Sequence, residues 1–261
     1  MPAARRSESP LPRRAARLAA LARPGSGTCW RVVEGQHHVS TLPLVDTLAE
    51  QARLEQLIEA TKPSLPPECR GLDYLLFTPF RYRPYPIGSR FRRAGMTPGV
   101  FYAAAQVETA IAETAFHRLL FFAESRATPF PMNASEHTAF SVRYGSAKVL
   151  DLTRPPLARR RRDWMHPTGY APCQALADSA RGAGVELIRY ASVRDPEHRL
   201  NLALLTCRAF RSEAPLERQS WRLRLSGAGI QALRDFPKLS LDFGRDAFAA
   251  DPRLKGFAWA R

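Results

Sequence analysis

The chain has few lysines, few cysteines and no long apolar run. Lysine occurs only as Lys62, Lys148, Lys238 and Lys255, so nearly all of the 39 basic residues are arginine. Cysteine occurs only as Cys29, Cys69, Cys173 and Cys207, far apart and never in a CxxC pair. That spacing signals neither a zinc site nor a disulfide framework, so buried free thiols in a reducing cytosol are expected. The six histidines form no HExxH or similar ligand pattern, and no metal is expected. No apolar stretch approaches the roughly 18 residues of a membrane helix. Even the most apolar run, AFHRLLFFA, contains Arg118. The N-terminus lacks the apolar h-region of a secretory signal. A cytoplasmic protein without membrane contact is the expectation.

What is present is arginine. The net charge is +15 over 261 residues, of which 45% are hydrophobic. That length and composition suit one large globular domain or two small ones. Arginine carries a planar fork of donors matched to phosphate and carboxylate. The balance fits nucleic acid, a nucleotide or an acidic protein partner, while a genome that favours arginine codons would explain it without function. Residues 1–28, rich in Arg, Ala, Pro and Ser, read as a basic disordered tail with a fraying helix over AARLAALA.

From Cys29 onward the pattern changes. CWRVVEG reads as a short strand. STLPLVDTLAEQARLEQLIEATKP reads as a helix with Leu44, Leu48, Leu54, Leu57 and Ile58 near one face. LDYLLFTPFRYRP reads as a strand broken by Pro79, and GVFYAA as a strand whose Gly99 takes a positive φ at entry. QVETAIAETAFHRLLFFAES is the clearest helix. Its inward face carries Thr109, Ala112, Phe116, Leu120 and Ala123, with Glu113 on or beside it. HTAFSVRYGSAKVLDLT reads as two short strands, PPLARRRRDWMHP as a solvated basic loop, and CQALADSARGAG as a short helix ending at Gly182 or Gly184. Strands follow over VELIRYASV, LALLTCRAF and SWRLRLS, then an irregular aromatic segment. About seven strands with three or four helices make an α+β protein.

Three places set polar side chains at strand ends or helix starts, where ligands often bind: Ser89 to Arg92, Tyr102 to Glu113, and Tyr190 to Ser192. An inward Glu113 costs free energy unless it is paired or lines a cavity. Pairing with an arginine for stability alone is one reading of it. The chemical reading is different. Arg90 can grip a pyrophosphate. Ser192 can bond a phosphate or ribose hydroxyl, and Tyr102 can stack on a flat heterocycle. Glu113 can hold a ribose hydroxyl or stabilise an oxocarbenium-like centre. Such a set suits cleavage of the N-glycosidic bond of NAD+, which needs no metal because nicotinamide leaves as a neutral group.

These residues also carry a resemblance. Arg90-Phe91-Arg92-Arg93-Ala94-Gly95, then Tyr102, Ala110-Ile111-Ala112-Glu113, Tyr190-Ala191-Ser192 and Asn201-Leu202-Ala203-Leu204-Leu205 follow in order. Together they resemble the RES domain, the toxin half of RES–Xre toxin–antitoxin pairs. The resemblance covers about residues 29 to 210. Arg92 stands where that family usually has Asn, and Arg81, Arg83, Arg92 and Arg93 rival Arg90 as the pyrophosphate ligand.

The resemblance implies an ADP-ribosyltransferase-like split mixed β-sheet flanked by helices. Residues 29–261 would then be a single RES-type domain with a C-terminal extension. It implies an enzyme that consumes NAD+ as substrate, by phosphorolysis or hydrolysis, with inorganic phosphate as an optional co-substrate and no bound cofactor. Arg90, Tyr102, Glu113 and Ser192 are the implied catalytic set, and Arg90, Arg92, Tyr102, Ser192 and Asn201 the implied NAD+ contacts. It further implies an Xre-type antitoxin, DNA contact only through that complex, and a homodimer as one assembly. The alternatives are ADP-ribosyl transfer to a protein or nucleic acid, and non-catalytic nucleic-acid binding.

Overall fold

A computed structural model of the chain describes residues 10–35, 44–82 and 85–259. The helices, in chain order, are α1 (Pro10–Leu21), α2 (Leu48–Thr61), α3 (Tyr74–Arg81), α4 (Val107–Glu124), α5 (Arg161–Trp164) and α6 (Ala171–Gly182). The strands are β1 (Arg23–Glu34), β2 (Phe101–Ala104), β3 (Ser135–Asp151), β4 (Leu187–Ala191), β5 (Leu200–Leu204), β6 (Glu217–Ser226), β7 (Gly229–Arg234) and β8 (Leu239–Gly244). All eight join one mixed sheet in the order β1-β2-β5-β4-β3-β6-β7-β8, with β1 also paired to β3. That extra pairing closes a circuit of β1, β2, β5, β4 and β3. The β3–β4 ladder is parallel and the other ladders are antiparallel. The α+β class expected from the pattern of elements is what the chain adopts, a mixed sheet flanked by helices.

Helix α4 organises one core. Its Ile111, Ala115 and Phe116 are fully buried against Trp221, Leu223, Ile230 and Phe248. Burying one such large side chain stabilises by roughly 1.5–3 kcal/mol. A second core joins α3 to β2 and β5 through Leu76, Phe101 and Leu204. A third packs α1 and α6 on β4 and β5 through Leu18, Ala177, Ile188 and Ala203.

Several expectations are corrected. The supposed disordered tail is structured from Pro10: α1 packs Leu18 into the third core, and β1 already begins at Arg23. Residues 1–9 lie outside the described residues. Within LDYLLFTPFRYRP, Tyr74–Arg81 is a helix, not a strand. Asp73 caps it by accepting from the Leu75 amide at 2.8 Å, and Pro79 sits within its last turn. Helix α2 has a full capping box at Thr47 and Glu50, yet it buries no residue, with Leu48 79% and Leu57 51% exposed. The two short strands of 137–153 are one long β3. The basic excursion is two short helical turns closed over a buried Trp164. The irregular C-terminal segment contains the β7–β8 ladder. Gly99 is needed for space, not for a positive φ: a Cβ there would sit 1.5 Å from the Pro79 carbonyl oxygen.

The cysteines are corrected too. Cys69 and Cys207 form a disulfide, with Cα atoms 5.6 Å apart, leaving Cys29 and Cys173 free and buried. The partners are 138 positions apart in sequence, which is why spacing carried no signal. The bridge fastens the 3-10 turn Pro67–Cys69 to the turn Cys207–Ala209 that follows β5. On a chain-entropy account a loop of that length contributes about 5 kcal/mol. Under denaturing, non-reducing conditions a thiol titration should count two thiols per chain, rising to four with reductant. A count of four without reductant would contradict the bridge.

Candidate active site

Strands β2, β5 and β4 lie side by side, and their register brings the polar residues together. Ala104 faces Asn201, and Asn201 faces Tyr190. Tyr102 lies two residues from Ala104, so all four share one face of the sheet. Helix α4 starts directly after β2 and crosses beside this face. Glu113 comes from its second turn and Asn201 from the start of β5, while Ser192 immediately follows β4.

Glu113 Oε1 accepts two short hydrogen bonds. Ser192 Oγ donates at 2.6 Å and Asn201 Nδ2 donates at 2.6 Å. Oε2 has no hydrogen-bond partner among the described residues, and Glu113 lines the main cleft. The carboxylate is thus oriented by one oxygen and open at the other. Ser192 is fully buried and does not line the cleft. Its hydroxyl also accepts from the Arg194 amide at 3.2 Å and the Asp195 amide at 2.9 Å. It therefore holds both the loop after β4 and the carboxylate of Glu113. Asp195 anchors that loop to α4 by accepting from Thr109 at 2.8 Å and from Arg199 at 2.6 and 2.9 Å. Burial opposes its ionisation, but these bonds prevail and hold the carboxyl below the usual range.

The arginine segment is held as a tight turn. Ser89 and Arg92 form an isolated bridge. The Tyr102 hydroxyl sits beneath it, 2.8 Å from Ser89 Oγ and accepting from the Phe91 amide at 3.0 Å. Burial raises the Tyr102 pKa, with Ser89 pulling the other way, so the phenol stays protonated at neutral pH. From α6, Gln174 Nε2 donates to the carbonyls of Ser89 and Arg92 at 3.1 and 3.2 Å. Arg90 is buried, donates to the Trp164 carbonyl at 2.6 Å and lies 4.8 Å over the Tyr170 ring. Arg92 lies 5.2 Å over Tyr85, and its Nε is buried with no hydrogen-bond partner among the described residues.

This geometry separates the rival arginines. Arg81 is taken by Glu59 and the Pro63 carbonyl, and Arg93 by Asp178. Arg90 and Arg92 face the cleft, and Arg83 lies outside the described residues.

The cleft encloses about 720 Å³, within the roughly 300–1,000 Å³ range of small-molecule sites. It brings together Arg90, Arg92, Tyr102, Glu113 and Asn201 from the expected set. Ser192 is brought next to Glu113 from behind. Among the described residues five arginines line it, the others being Arg31, Arg194 and Arg253, and Glu113 is the one lining carboxylate. Reading the sequence alone missed those three. Arg31 donates to the Tyr102 carbonyl at 3.1 Å and lies 4.8 Å over Phe101. Desolvation lowers its pKa to about 10, which still leaves it charged at neutral pH. His117, one turn beyond Glu113, also lines the cleft. Desolvation lowers its pKa against the pull of the Glu113 charge, so the ring is neutral at pH 7. Only its spacing four residues from Glu113 on α4 could have flagged it. A cleft so charged selects an anionic ligand.

A RES domain model matches residues 65–226 of the chain. Among solved structures, the crystal structure of the M. tuberculosis MbcT–MbcA toxin–antitoxin complex is similar, with 17% identity and a TM-score of 0.48. That similarity covers 81% of this chain and 92% of the other. No curated protein matches the sequence.

Substituting Ser192→Ala should leave the Arg194 and Asp195 amides and one Glu113 oxygen short of a buried partner. A loss of roughly 1–3 kcal/mol in unfolding free energy is expected, read from urea denaturation. An unchanged midpoint and slope would contradict the buried role of this hydroxyl.

Proposed function

The chain belongs to the RES domain family, and on that premise we propose that it is an enzyme that cleaves the nicotinamide–ribose bond of NAD+. The observation that carries the reading is Glu113, locked at one oxygen by Ser192 and Asn201 and open at the other inside an arginine-lined cleft.

In this reading Arg90 and Arg92 hold the pyrophosphate through charge-assisted bonds. Tyr102 packs beside the nicotinamide riboside and keeps the Ser89–Arg92 turn in place. The open oxygen of Glu113 meets the nicotinamide ribose. As the C1′–N bond breaks, its electron pair leaves with neutral nicotinamide, and positive charge grows at C1′. A fixed carboxylate stabilises that charge more in the transition state than in the ground state. An oxygen of phosphate or water then forms the new bond to C1′, and water as acceptor gives up a proton. Ser192 and Asn201 act through Glu113 by fixing its rotamer. Exclusion of water from a cleft with buried walls strengthens each of these interactions.

The proposed role is that of a toxin of a RES–Xre toxin–antitoxin pair, with NAD+ loss as the toxic event. An antitoxin then has to cover the cleft, and the excess of arginine favours an acidic partner surface.

The test is to incubate the purified chain with NAD+, with and without phosphate, and follow nicotinamide by NMR. Release of nicotinamide is expected. Glu113→Gln should cut the rate by about 10²-fold or more while melting as the parent does. Intact NAD+ in both tubes from folded protein, or a fully active Glu113→Gln, would overturn the reading.

A further inference from the structure

The segment after residue 226 lies beyond the matched region, yet it reaches the cleft. Strands β7 and β8 extend the sheet, and the turn Pro252–Leu254 packs Leu254 into the core that holds α4. Asp251 caps that turn by accepting from the Arg253 amide at 3.0 Å. Its carboxylate also accepts from Arg253 Nε and Nη2, both at 3.0 Å, and from Arg194 Nη1. Arg194 continues to the Tyr170 hydroxyl at 3.3 Å and to the Pro167 carbonyl. Both guanidinium groups lie over the Phe116 ring, at 4.1 and 5.4 Å.

Two guanidinium charges here share one carboxylate. Arg194 and Asp251 are almost fully buried and tie the C-terminal turn to the loop after β4. Arg253 braces the same carboxylate through Nε and Nη2, which leaves Nη1 outside the clamp. Its side chain remains 30% exposed, it lines the cleft, and its Nη1 has no partner among the described residues. Asp251 is its bonded carboxylate, and Glu124 at the end of α4 adds a further negative charge. Glu113 and His117 face Arg253 from α4, Tyr170 from the start of α6, and Arg194 from the loop after β4. His117 is neutral at pH 7 because burial lowers its pKa, with Arg194 and Arg253 acting in the same direction. Along the same wall Tyr170 stacks on Arg90 and bonds Arg194, so Arg90, Arg194 and Arg253 form a row in which Asp251 bonds the last two. A single pyrophosphate at Arg90 and Arg92 leaves Arg253 with Asp251 as its one bonded anion and Nη1 still without a partner among the described residues.

We infer that Arg253, presented by the C-terminal extension, forms a second phosphate subsite of the cleft, separate from the pyrophosphate site at Arg90 and Arg92. Its ligand is a phosphate dianion or a phosphate monoester. The source is either free inorganic phosphate, positioned to attack C1′, or a phosphate carried on a ribose of the dinucleotide. The inference rests on the NAD+ reading for the identity of the neighbouring ligand, but the anion site itself does not require turnover.

Calorimetric titrations of the full chain test it, with inorganic phosphate alone, NAD+ and NADP+ as the three probes. Arg253→Gln is expected to weaken inorganic phosphate, or to lower the NADP+ to NAD+ affinity ratio, by about ten- to a hundredfold. The first outcome assigns free phosphate and the second a substrate-borne phosphate. Arg253→Lys keeps the charge and loses the fork, so it should recover part of the effect. It also carries the test if Arg253→Gln fails to melt cooperatively. Unchanged phosphate affinity together with an unchanged NADP+ to NAD+ ratio would overturn the inference. Arg253-dependent phosphate binding in a protein that never releases nicotinamide would leave the subsite standing and remove the NAD+ reading.

Discussion

Two 2.6 Å hydrogen bonds converge on one oxygen of Glu113, from Ser192 and from Asn201. A carboxylate beside a packed helix face is costly unless its charge is met. Here it is met on one side only. The two donors come from the end of β4 and the start of β5, so the carboxylate can be held only if these strands pair in this register. Asp195 adds a second tie between the same loop and α4 through Thr109. The position of α4, the closed circuit of strands and the open oxygen of Glu113 therefore depend on one another. A loss at Ser192 should be felt as a loss of fold as much as of function.

Around that carboxylate the walls are cationic. Buried arginines usually need acids, yet here most are satisfied by backbone carbonyls and aromatic rings. Arg90 uses the Trp164 carbonyl and Tyr170, and Arg31 uses the Tyr102 carbonyl and Phe101. This arrangement positions each guanidinium without cancelling its charge. An anionic ligand then supplies the missing counter-charge, and displaced water makes each contact stronger.

The parts read correctly from sequence are those with strong local periodicity. The α4 helix shows its 3.6-residue pattern, and β2 and β5 are short apolar runs with polar ends. Glu113 stood out because an acid beside an apolar face needs a reason. Arg90 and Arg92 were in view, but local sequence could not separate them from Arg81 and Arg93. That choice depends on Glu59 and Asp178, which only the fold brings near. Helix α3 was misread because a short apolar and aromatic run suits helix and strand alike. The Cys69–Cys207 bridge and the arrival of Arg253 at the cleft are long-range facts. Neither leaves a trace in spacing, and the second depends on a β7–β8 ladder hidden in a stretch that looked irregular. Helix α2 shows the reverse failure. Its apolar spacing predicts a helix correctly, but its apolar residues find no core among the described residues.

The central claim is that Glu113 meets the nicotinamide ribose while the Ser89–Arg92 turn grips the pyrophosphate. The most direct measurement is a crystal structure of Glu113→Gln soaked with NAD+, a variant that should bind without turning over. The account predicts C1′ of the nicotinamide ribose against the residue 113 amide, with the pyrophosphate on Arg90 and Arg92. A dinucleotide bound with its pyrophosphate away from both arginines, or its nicotinamide ribose away from residue 113, would contradict it.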